Sequence, residues 1–379
     1  MISSPLGLYL ELGRIGPGRQ GNDQLDLHWT STETAVKSVN KNIALAFAMT
    51  CLTLPAAGHH SAKIFDPETV LTRLGTVTRF DWANPHTYIY VETQNEAGEP
   101  VEWEIETDAV PILARSGWSR DSIQPGDQVL IRARPDRNRQ RSHALLVSLE
   151  REDGSVLSAR SYFLRKPDDV QSLAHTSDFS GVWELRHEDQ DNYYLDWGAV
   201  AITEKAAAAS ADYDLRLDSP AAECVASPLP SILVASYLNE IELREDTVVI
   251  RNERFNAERI IYVDGRGHPE NGERTNQGHS IGRWEGDGLV VDTALFADHR
   301  APISGRHGNE GVPSGAAKHV VERYTLSEDG TRLLIDFTVE DPEHLAEPFS
   351  GHVEWYYAPH FEMMGFGCDR QNSLRYTLQ

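Results

Sequence analysis

A predicted β-hairpin at residues 279–295 carries three side chains that together could move a proton. Residues 286–287 fit its two-residue turn, and the resulting cross-strand register puts His279, Arg283 and Asp292 on one face. The carboxylate then lies diagonally between the other two side chains. A carboxylate flanked by an imidazole and a guanidinium could transfer a proton while a carbonyl or hydroxyl is polarised. The alternative is that this charged face only meets water, because one face of an antiparallel sheet is commonly solvated.

The same hairpin begins inside a G-x-S-x-G motif at residues 278–282. In a nucleophile elbow this motif would make Ser280 an acyl-transfer serine, but the elbow needs a strand before the serine and a helix after it. Here a strand pattern follows Ser280. A serine hydrolase is therefore an alternative interpretation and not the main one.

Loops on either side of the hairpin concentrate histidines, at positions 268, 299, 307 and 319. Loops often carry function when a rigid barrel positions them. We assign His268 and His299, with the aromatic residues Trp355 and Tyr357, to a ligand-binding site. The alternative is that both aromatic side chains belong to the core. The sequence has no H-E-x-x-H motif or closely spaced Cys/His set, so it gives zinc little support.

Strand patterns separated by turn residues fill residues 179–379, which a helix pattern at 202–211 interrupts. Roughly eight to ten antiparallel strands in this length predict a closed barrel or a sandwich, and we expect a lipocalin-like antiparallel β-barrel. The predicted strands are 241–244, 247–252, 259–263, 280–284, 289–295, 320–326, 332–339 and 351–357.

A smaller domain is predicted at residues 59–155, followed by a linker at 156–178. Three strands, a short helix and two further strands give the order of an OB-like five-stranded barrel. The helix at 109–116 has Asp108 as its predicted N-cap and Gly117 as its C-terminal cap. The protein as a whole is therefore predicted to be all-β. The predicted strands are 75–82, 87–94, 101–107, 128–134 and 143–151.

Residues 37–58 have the layout of a secretory signal peptide, with two lysines ahead of an apolar run at 43–54. The run is shorter than the roughly 20 residues of a transmembrane helix. We interpret residues 1–36 as a non-structural extension that follows from a mis-assigned start codon. Cleavage after Gly58 predicts a soluble periplasmic or secreted protein without a membrane span. The alternative is that the apolar run is an internal buried helix.

Cleavage at that position would expose a possible copper site. An N-terminal His59 offers an amine and an imidazole, and His60 and His86 could add further nitrogens, which are ligands that suit Cu(II). Cleavage before Gly58 would give another copper-binding terminus. The alternative is a disordered terminus, with His86 packed against Trp82 in a turn.

A net charge of −23 repels phosphate backbones and argues against nucleic acid as a partner. We therefore interpret the arginines between positions 132 and 141 as part of a solvated loop. Two cysteines, Cys224 and Cys368, remain after the predicted signal is removed, and an oxidising compartment makes them a disulfide candidate.

Two long segments resemble known proteins. The stretch from HHSAKIFDPETV through DWANPHTYIYVE resembles an uncharacterised domain family of bacterial exported proteins, which also begin with a double histidine and carry an Asn-Pro-His turn. The stretch GHSIGRWEGDGLVVDT resembles the barrel-like half of companion proteins from similar bacteria. The resemblance implies export and two barrels, but it implies no established activity.

These observations predict an exported protein whose C-terminal barrel binds or transforms a small, partly apolar molecule. A binding protein would need only a pocket. An enzyme would be a cofactor-independent isomerase, dehydratase or lyase, with His279 or Asp292 as the base and Arg283 as electrophilic support. Copper binding by the first domain is the alternative from a different class.

Overall fold

The computed structural model describes residues 64–159, 174–186, 193, 200–213, 218, 220–298 and 311–378. All of them belong to one compact unit that runs from Ala57 to Gln379. The predicted signal peptide, His59, His60 and His299 lie outside the described residues.

The first part of this unit is a five-stranded barrel with one added strand. The strands pair in the order β3-β2-β1-β4-β5, and a parallel β3–β5 pairing closes the barrel. A sixth strand extends β5 inside the range that we predicted as linker. The elements are β1 Leu71–Asp81, β2 Tyr88–Gln94, β3 Pro100–Glu106, α1 Val110–Arg115, β4 Gln128–Pro135, β5 His143–Arg151 and β6 Val156–Ser158.

Alternation of apolar and polar side chains forms this barrel. In β4 every second residue from Val129 onward is buried and the residues between them are more exposed. Helix α1 adds Leu113 to the same core, and its Ile112 is also buried. The five predicted strands and the helix are all present in the predicted order.

The cap of α1 differs from the prediction. The N-cap residue is Ala109, and its side chain makes no capping hydrogen bond, so the assignment of Asp108 was wrong. The side chain of Asn84, in the loop between β1 and β2, takes that role, because its Oδ1 accepts a hydrogen bond from the Val110 N–H at 2.8 Å. Gly117 follows the helix with φ +88°, as a C-terminal cap requires.

The second part is a closed barrel of nine strands in the described residues, in the order β10-β11-β12-β13-β14-β15-β7-β8-β9. Neighbouring strands are antiparallel except β10 and β11, which pair in parallel at two positions. The elements are β7 Gly181–Glu184, α2 Glu204–Ala211, β8 Asn239–Leu243, β9 Thr247–Asn252, β10 Ala257–Tyr262, β11 His279–Glu285, β12 Gly288–Ala294, β13 His319–Leu326, β14 Arg332–Glu340, β15 Phe349–Tyr357 and α3 Arg370–Leu378.

The prediction of an all-β protein with a small barrel followed by a larger one is confirmed. The larger barrel encloses an apolar core that includes Trp183, Phe337 and Trp355. No helix in the described part of the chain is long and apolar enough to cross a membrane.

The C-terminal segment lies between the two barrels. The predicted disulfide is present, with the Cα atoms of Cys224 and Cys368 6.0 Å apart. Cys368 forms an isolated bridge with Asn84 of the first barrel. Beyond it, the Asn372 side chain donates a hydrogen bond to the His86 carbonyl at 2.6 Å. The disulfide therefore anchors residues 364–372, the C-terminal strap, which hold the Asn-Pro-His turn.

Candidate functional site

The β11–β12 hairpin has the predicted register, in which His279 pairs with Ala294 and Ile281 with Asp292. Alternate residues of this hairpin point in opposite directions. Ser280 is buried inside the barrel, whereas His279 and Asp292 lie on the outer face and are partly exposed. The candidate acid–base groups are therefore on the outside of the barrel wall.

Two histidines converge on one oxygen of Asp292. The Oδ1 atom lies 3.0 Å from Nε2 of His268 and 2.8 Å from Nε2 of His319. His268 comes from the long loop after β10, and His319 is the first residue of β13, which pairs with β12. The side chains of His268, Asp292 and His319 keep 23%, 34% and 36% of their exposure. A molecule from solvent can therefore reach this cluster.

The contacts continue from His268 to His279, whose Nδ1 atoms are 2.8 Å apart. An ionised carboxylate only accepts hydrogen bonds, so Nε2 of His268 must carry a proton. In a neutral His268 the Nδ1 atom then accepts, and Nδ1 of His279 donates to it. This assignment leaves Nε2 of His279 as the lone-pair nitrogen at the end of the chain.

Electrostatic interactions set the charges at the two ends of the cluster. Burial of the Asp292 carboxylate acts to raise its pKa, but hydrogen bonds from His268 and His319 outweigh burial and hold that pKa below its ordinary value. Burial lowers the pKa of His279, and the neighbouring His268 and Arg266 lower it further. Near neutral pH the cluster therefore holds an ionised Asp292 and a neutral His279.

Arg266 is a cation that acts on His279, and the sequence analysis did not assign it a role. The ring of His279 stacks on Tyr262, with the centroids 5.3 Å apart and an angle of 22° between the ring planes. The Arg266 guanidinium lies over the same Tyr262 ring, 4.1 Å from its centroid. One tyrosine ring therefore contacts both the imidazole and a guanidinium.

Arg283, which we predicted as electrophilic support, is not brought to Asp292. Its Nε atom donates to Glu285 at 2.9 Å near the turn of the hairpin. The charge-neutral pair forms because Glu285 is two residues away on the same strand. His299, the other predicted ligand in this region, lies outside the described residues.

Ser280 of the G-x-S-x-G motif lies in a buried polar network inside the barrel. Its Oγ atom is 2.9 Å from Nε of Arg259 and 2.9 Å from Oγ1 of Thr293. The same Arg259 forms a buried ion pair with Glu322. A strand continues after Ser280, as the sequence indicated, and its hydroxyl contacts no histidine among the described residues.

A cavity of about 20 Å³ adjoins this network and has Trp355 in its wall. That volume holds about one water molecule, whereas pockets for small organic ligands measure roughly 300–1,000 Å³. Trp355 is fully buried and donates to the Leu233 carbonyl at 2.9 Å. Tyr357 packs on Trp183, with the ring centroids 5.1 Å apart. Both predicted aromatic ligands thus contribute to the core.

In the first barrel, His86 is held by a buried carboxylate. Its Nδ1 atom lies 3.2 Å from Oε1 of Glu106 and 3.2 Å from the Thr107 carbonyl. The second oxygen of Glu106 lies 3.6 Å from Nε2 of His143. No group of three or more histidine, cysteine, aspartate or glutamate side chains in the described part of the chain is arranged to hold a metal ion.

His319 and Arg266 are two residues around the cluster to which the sequence analysis assigned no role. His319 was noted only as one of several loop histidines, and its strand was predicted to begin one residue later. A strand reaching back to His319 would have placed it beside Asp292, because adjacent antiparallel strands share their outer face. No sequence pattern indicated a role for Arg266, because only the path of its loop brings it to Tyr262.

No curated protein matches this chain. A family of unknown function (DUF6152) matches residues 47–145. This range includes the Asn-Pro-His turn and the first three residues of β5, but it excludes the histidine and aspartate cluster of the second barrel. The chain is therefore similar, over its first barrel, to a family of unknown function.

Proposed function

We propose that the outer face of the second barrel is a proton-transfer site for a small molecule, with His279 as the general base. The observation that carries this proposal is the continuous chain from Asp292 through His268 to His279, with contacts of 3.0 and 2.8 Å. A base whose second nitrogen is fixed by a partner, which is itself fixed by a carboxylate, has the arrangement that general-base catalysis requires. An unconnected charged surface would not need it.

In this proposal the hydrogen-bonded side chains give the proton a path. Nε2 of His279 takes a proton from the bound molecule, and the resulting positive charge is stabilised through Nδ1–H by His268 and the Asp292 carboxylate. His279 then returns the proton to a different atom of the same molecule. Removal and return of a proton are the steps of isomerases, dehydratases and lyases. His319 stabilises the ionised Asp292 from the other side.

We further propose that the protein works outside the cytoplasm. The signal-like pattern at residues 37–58 and the disulfide between Cys224 and Cys368 support this location, because disulfides persist in oxidising compartments. Sequencing the N-terminus of protein from the exported fraction tests the proposal. A mature terminus near residue 59 supports it, and an intact Met1 in the cytosolic fraction contradicts it.

The proton-transfer site is tested without knowledge of the substrate. Wild-type protein in D₂O is mixed with a panel of small ketones and carboxylic acids, and proton NMR follows the loss of their α C–H signals. We expect exchange of at least one compound, with a loss of about 10²-fold or more in His279→Asn. Asp292→Asn should lose a similar amount, because the amide cannot hold His268 in the required tautomer.

His352 supplies a matched control. Its Nδ1 lies 2.8 Å from Oδ1 of Asp336 on the outer face of β14 and β15, so it is another exposed histidine paired with an aspartate. His352→Asn should exchange the panel at the wild-type rate. Equal exchange rates in His279→Asn and wild type, or no exchange of any compound, would remove the proposed site.

Copper binding by the first barrel is a second candidate, supported by one contact. Nδ1 of His86 lies 3.2 Å from Oε1 of Glu106 and 3.2 Å from the Thr107 carbonyl. Metal-binding histidines usually donate their other N–H to a carboxylate or carbonyl in this way. The remaining ligands of this hypothesis, His59 and His60, lie outside the described residues. Titration of matured wild type and His86→Asn with Cu(II) tests it: affinity unchanged in the variant contradicts it.

A further inference from the structure

We propose that the molecule bound beside His279 carries a carboxylate and that Arg266 binds this group. The inference rests on the proposed function of the same outer face, and it adds the chemical class of the substrate. Three observations carry it: the stack on Tyr262, the unused edge of the guanidinium and the turn that fixes the position of Arg266.

The stack sets the orientation of the guanidinium. Arg266 lies 4.1 Å from the centroid of the Tyr262 ring, and the same ring is stacked on His279. A guanidinium plane that rests on an aromatic ring loses little further freedom when it binds an anion. The cation and the proposed base are therefore held in a fixed relation by one tyrosine.

Only one edge of the guanidinium is used. Nε and Nη2 of Arg266 donate to the Asp264 carboxylate, with Nε 2.9 Å from both of its oxygens. Nη1 makes no hydrogen bond within the described residues. A guanidinium has five N–H donors, so the Nη1–Nη2 edge still offers two parallel donors. Two parallel donors match the two oxygens of a carboxylate.

The turn after β10 places Arg266 next to the sheet. Gly265 has φ +84°, a conformation that favours glycine, and the Arg266 N–H donates to Oδ1 of Asp264 at 3.2 Å. The chain then continues to His268, whose side chain reaches Asp292. The loop after β10 therefore supplies both the anion-binding group and the middle member of the proton chain.

The combination determines the chemistry. With the carboxylate on Arg266, a C–H bond next to that group breaks, its proton moves to Nε2 of His279, and its electron pair moves onto oxygen. The guanidinium stabilises the charge that develops on that oxygen. When a C=C bond lies next to the deprotonated carbon, the displaced electron pair extends over it, and His279 gives the proton back to the far carbon of that bond. The C=C bond then lies beside the carboxylate, and atoms and charge balance without a second reactant.

The probe for this inference is acetate, with acetamide as its neutral counterpart. Imidazole NMR resonances of His279 are followed while each compound is added at constant ionic strength. We expect acetate to raise the pKa of His279 in a saturable manner, because a bound anion stabilises the imidazolium. Acetamide should have no such effect.

Two variants locate the binding group. Arg266→Gln should weaken acetate binding at least tenfold, whereas Asp264→Asn should tighten it severalfold, because it removes the competing carboxylate. Arg283→Gln is the matched control, since Arg283 pairs with Glu285 in the same side-on manner at the other end of the hairpin. It should bind acetate like the wild type.

The outcomes separate this inference from the proposed function. Acetate binding that is unchanged in Arg266→Gln, or equally weakened in Arg283→Gln, overturns the carboxylate inference even if α-proton exchange depends on His279. Arg266-dependent acetate binding without exchange of any panel compound keeps the anion site and removes the proton-transfer function. If acetate has no saturable effect on the pKa of His279, the inference is overturned directly.

Discussion

The guanidinium of Arg115 in the first barrel and the carboxylate of Glu253 in the second form an ion pair, with side chains only 6% and 0% exposed. Arg115 ends α1, and Glu253 follows β9. Glu253 also accepts a hydrogen bond from the Met364 N–H at 2.8 Å, so the pair includes the C-terminal strap. This contact joins three parts of the chain that are distant in sequence.

Removing one partner of this ion pair should destabilise the protein strongly. We expect Arg115→Met to lower the free energy of unfolding by about 3–5 kcal/mol, because it leaves the Glu253 carboxylate buried without its countercharge. Urea unfolding measures the change. Lys205→Met is the control, since its pair with Glu343 is exposed and should contribute under about 1 kcal/mol. Similar losses in both variants would contradict the prediction.

Reduction of the disulfide should destabilise the same region. Cys224 and Cys368 are 144 residues apart, and the chain-entropy model assigns about 5 kcal/mol to a closed loop of this length. The pair Cys224→Ser and Cys368→Ser should approach that loss in urea unfolding. Reductant should shift wild type toward the variant and leave the variant unchanged. A wild type that is insensitive to reductant would refute the prediction.

The buried Lys318 predicts stability that rises with pH. Burial lowers its pKa to about 7, and its Nζ lies over the Phe296 ring and 2.8 Å from Oγ of Ser314. The unfolded chain has the ordinary lysine pKa of 10.5, so above pH 7 it binds more protons than the folded chain. The free energy of unfolding should therefore increase with pH between about pH 7 and 9.5.

Lys318→Met removes this titration and keeps an unbranched side chain that is one atom shorter. Urea unfolding at several pH values should give a flatter profile for the variant, with a slope difference of at most about 1.4 kcal/mol per pH unit. The carboxylate that faces Lys318 is Asp341, which acts to raise its pKa. Lys205→Met, on the exposed surface of α2, should keep the wild-type profile. Parallel profiles for wild type and Lys318→Met would refute the prediction.

Ser280→Ala separates a structural role of the G-x-S-x-G serine from a catalytic one. Loss of the hydroxyl leaves part of the buried Arg259 guanidinium without an acceptor, so we expect a destabilisation of about 1–3 kcal/mol. Exchange of α-protons should stay at the wild-type rate. Ser350→Ala, which removes an exposed hydroxyl bonded to Thr338, is the stability control. Lost exchange in a folded Ser280→Ala would contradict a purely structural role of this serine.

The sequence predicted the hairpin site because its register depends on a few neighbouring residues. Once residues 286–287 were recognised as the turn, alternation alone put His279 and Asp292 on one face, and the structure has that register. Arg283 was on the correct strand, but pairing with Glu285 competes with Asp292. A pattern of alternation indicates the face of a side chain and not its partner.

The parts that escaped prediction depend on contacts distant in sequence. The cap of α1 comes from Asn84, which lies 26 positions before Val110, so the local signal at Asp108 misled the assignment. Arg266 reaches Tyr262 through the path of a loop, and strand pairing fixes the neighbourhood of His319. Loops of this length have no periodicity from which their path follows.

The two hydrogen bonds of the Asn84 side chain form at different stages of chain synthesis. Its oxygen caps α1 in the first barrel, while its nitrogen donates to the Phe366 carbonyl of the C-terminal strap. A chain that folds from its N-terminus during synthesis or export therefore holds this amide half-satisfied until Phe366 emerges. The first barrel is built from residues that emerge early, but the hydrogen bonds of Asn84 are completed only by a residue that emerges late. Early termination of the chain would thus leave a defect in the barrel that had already been made.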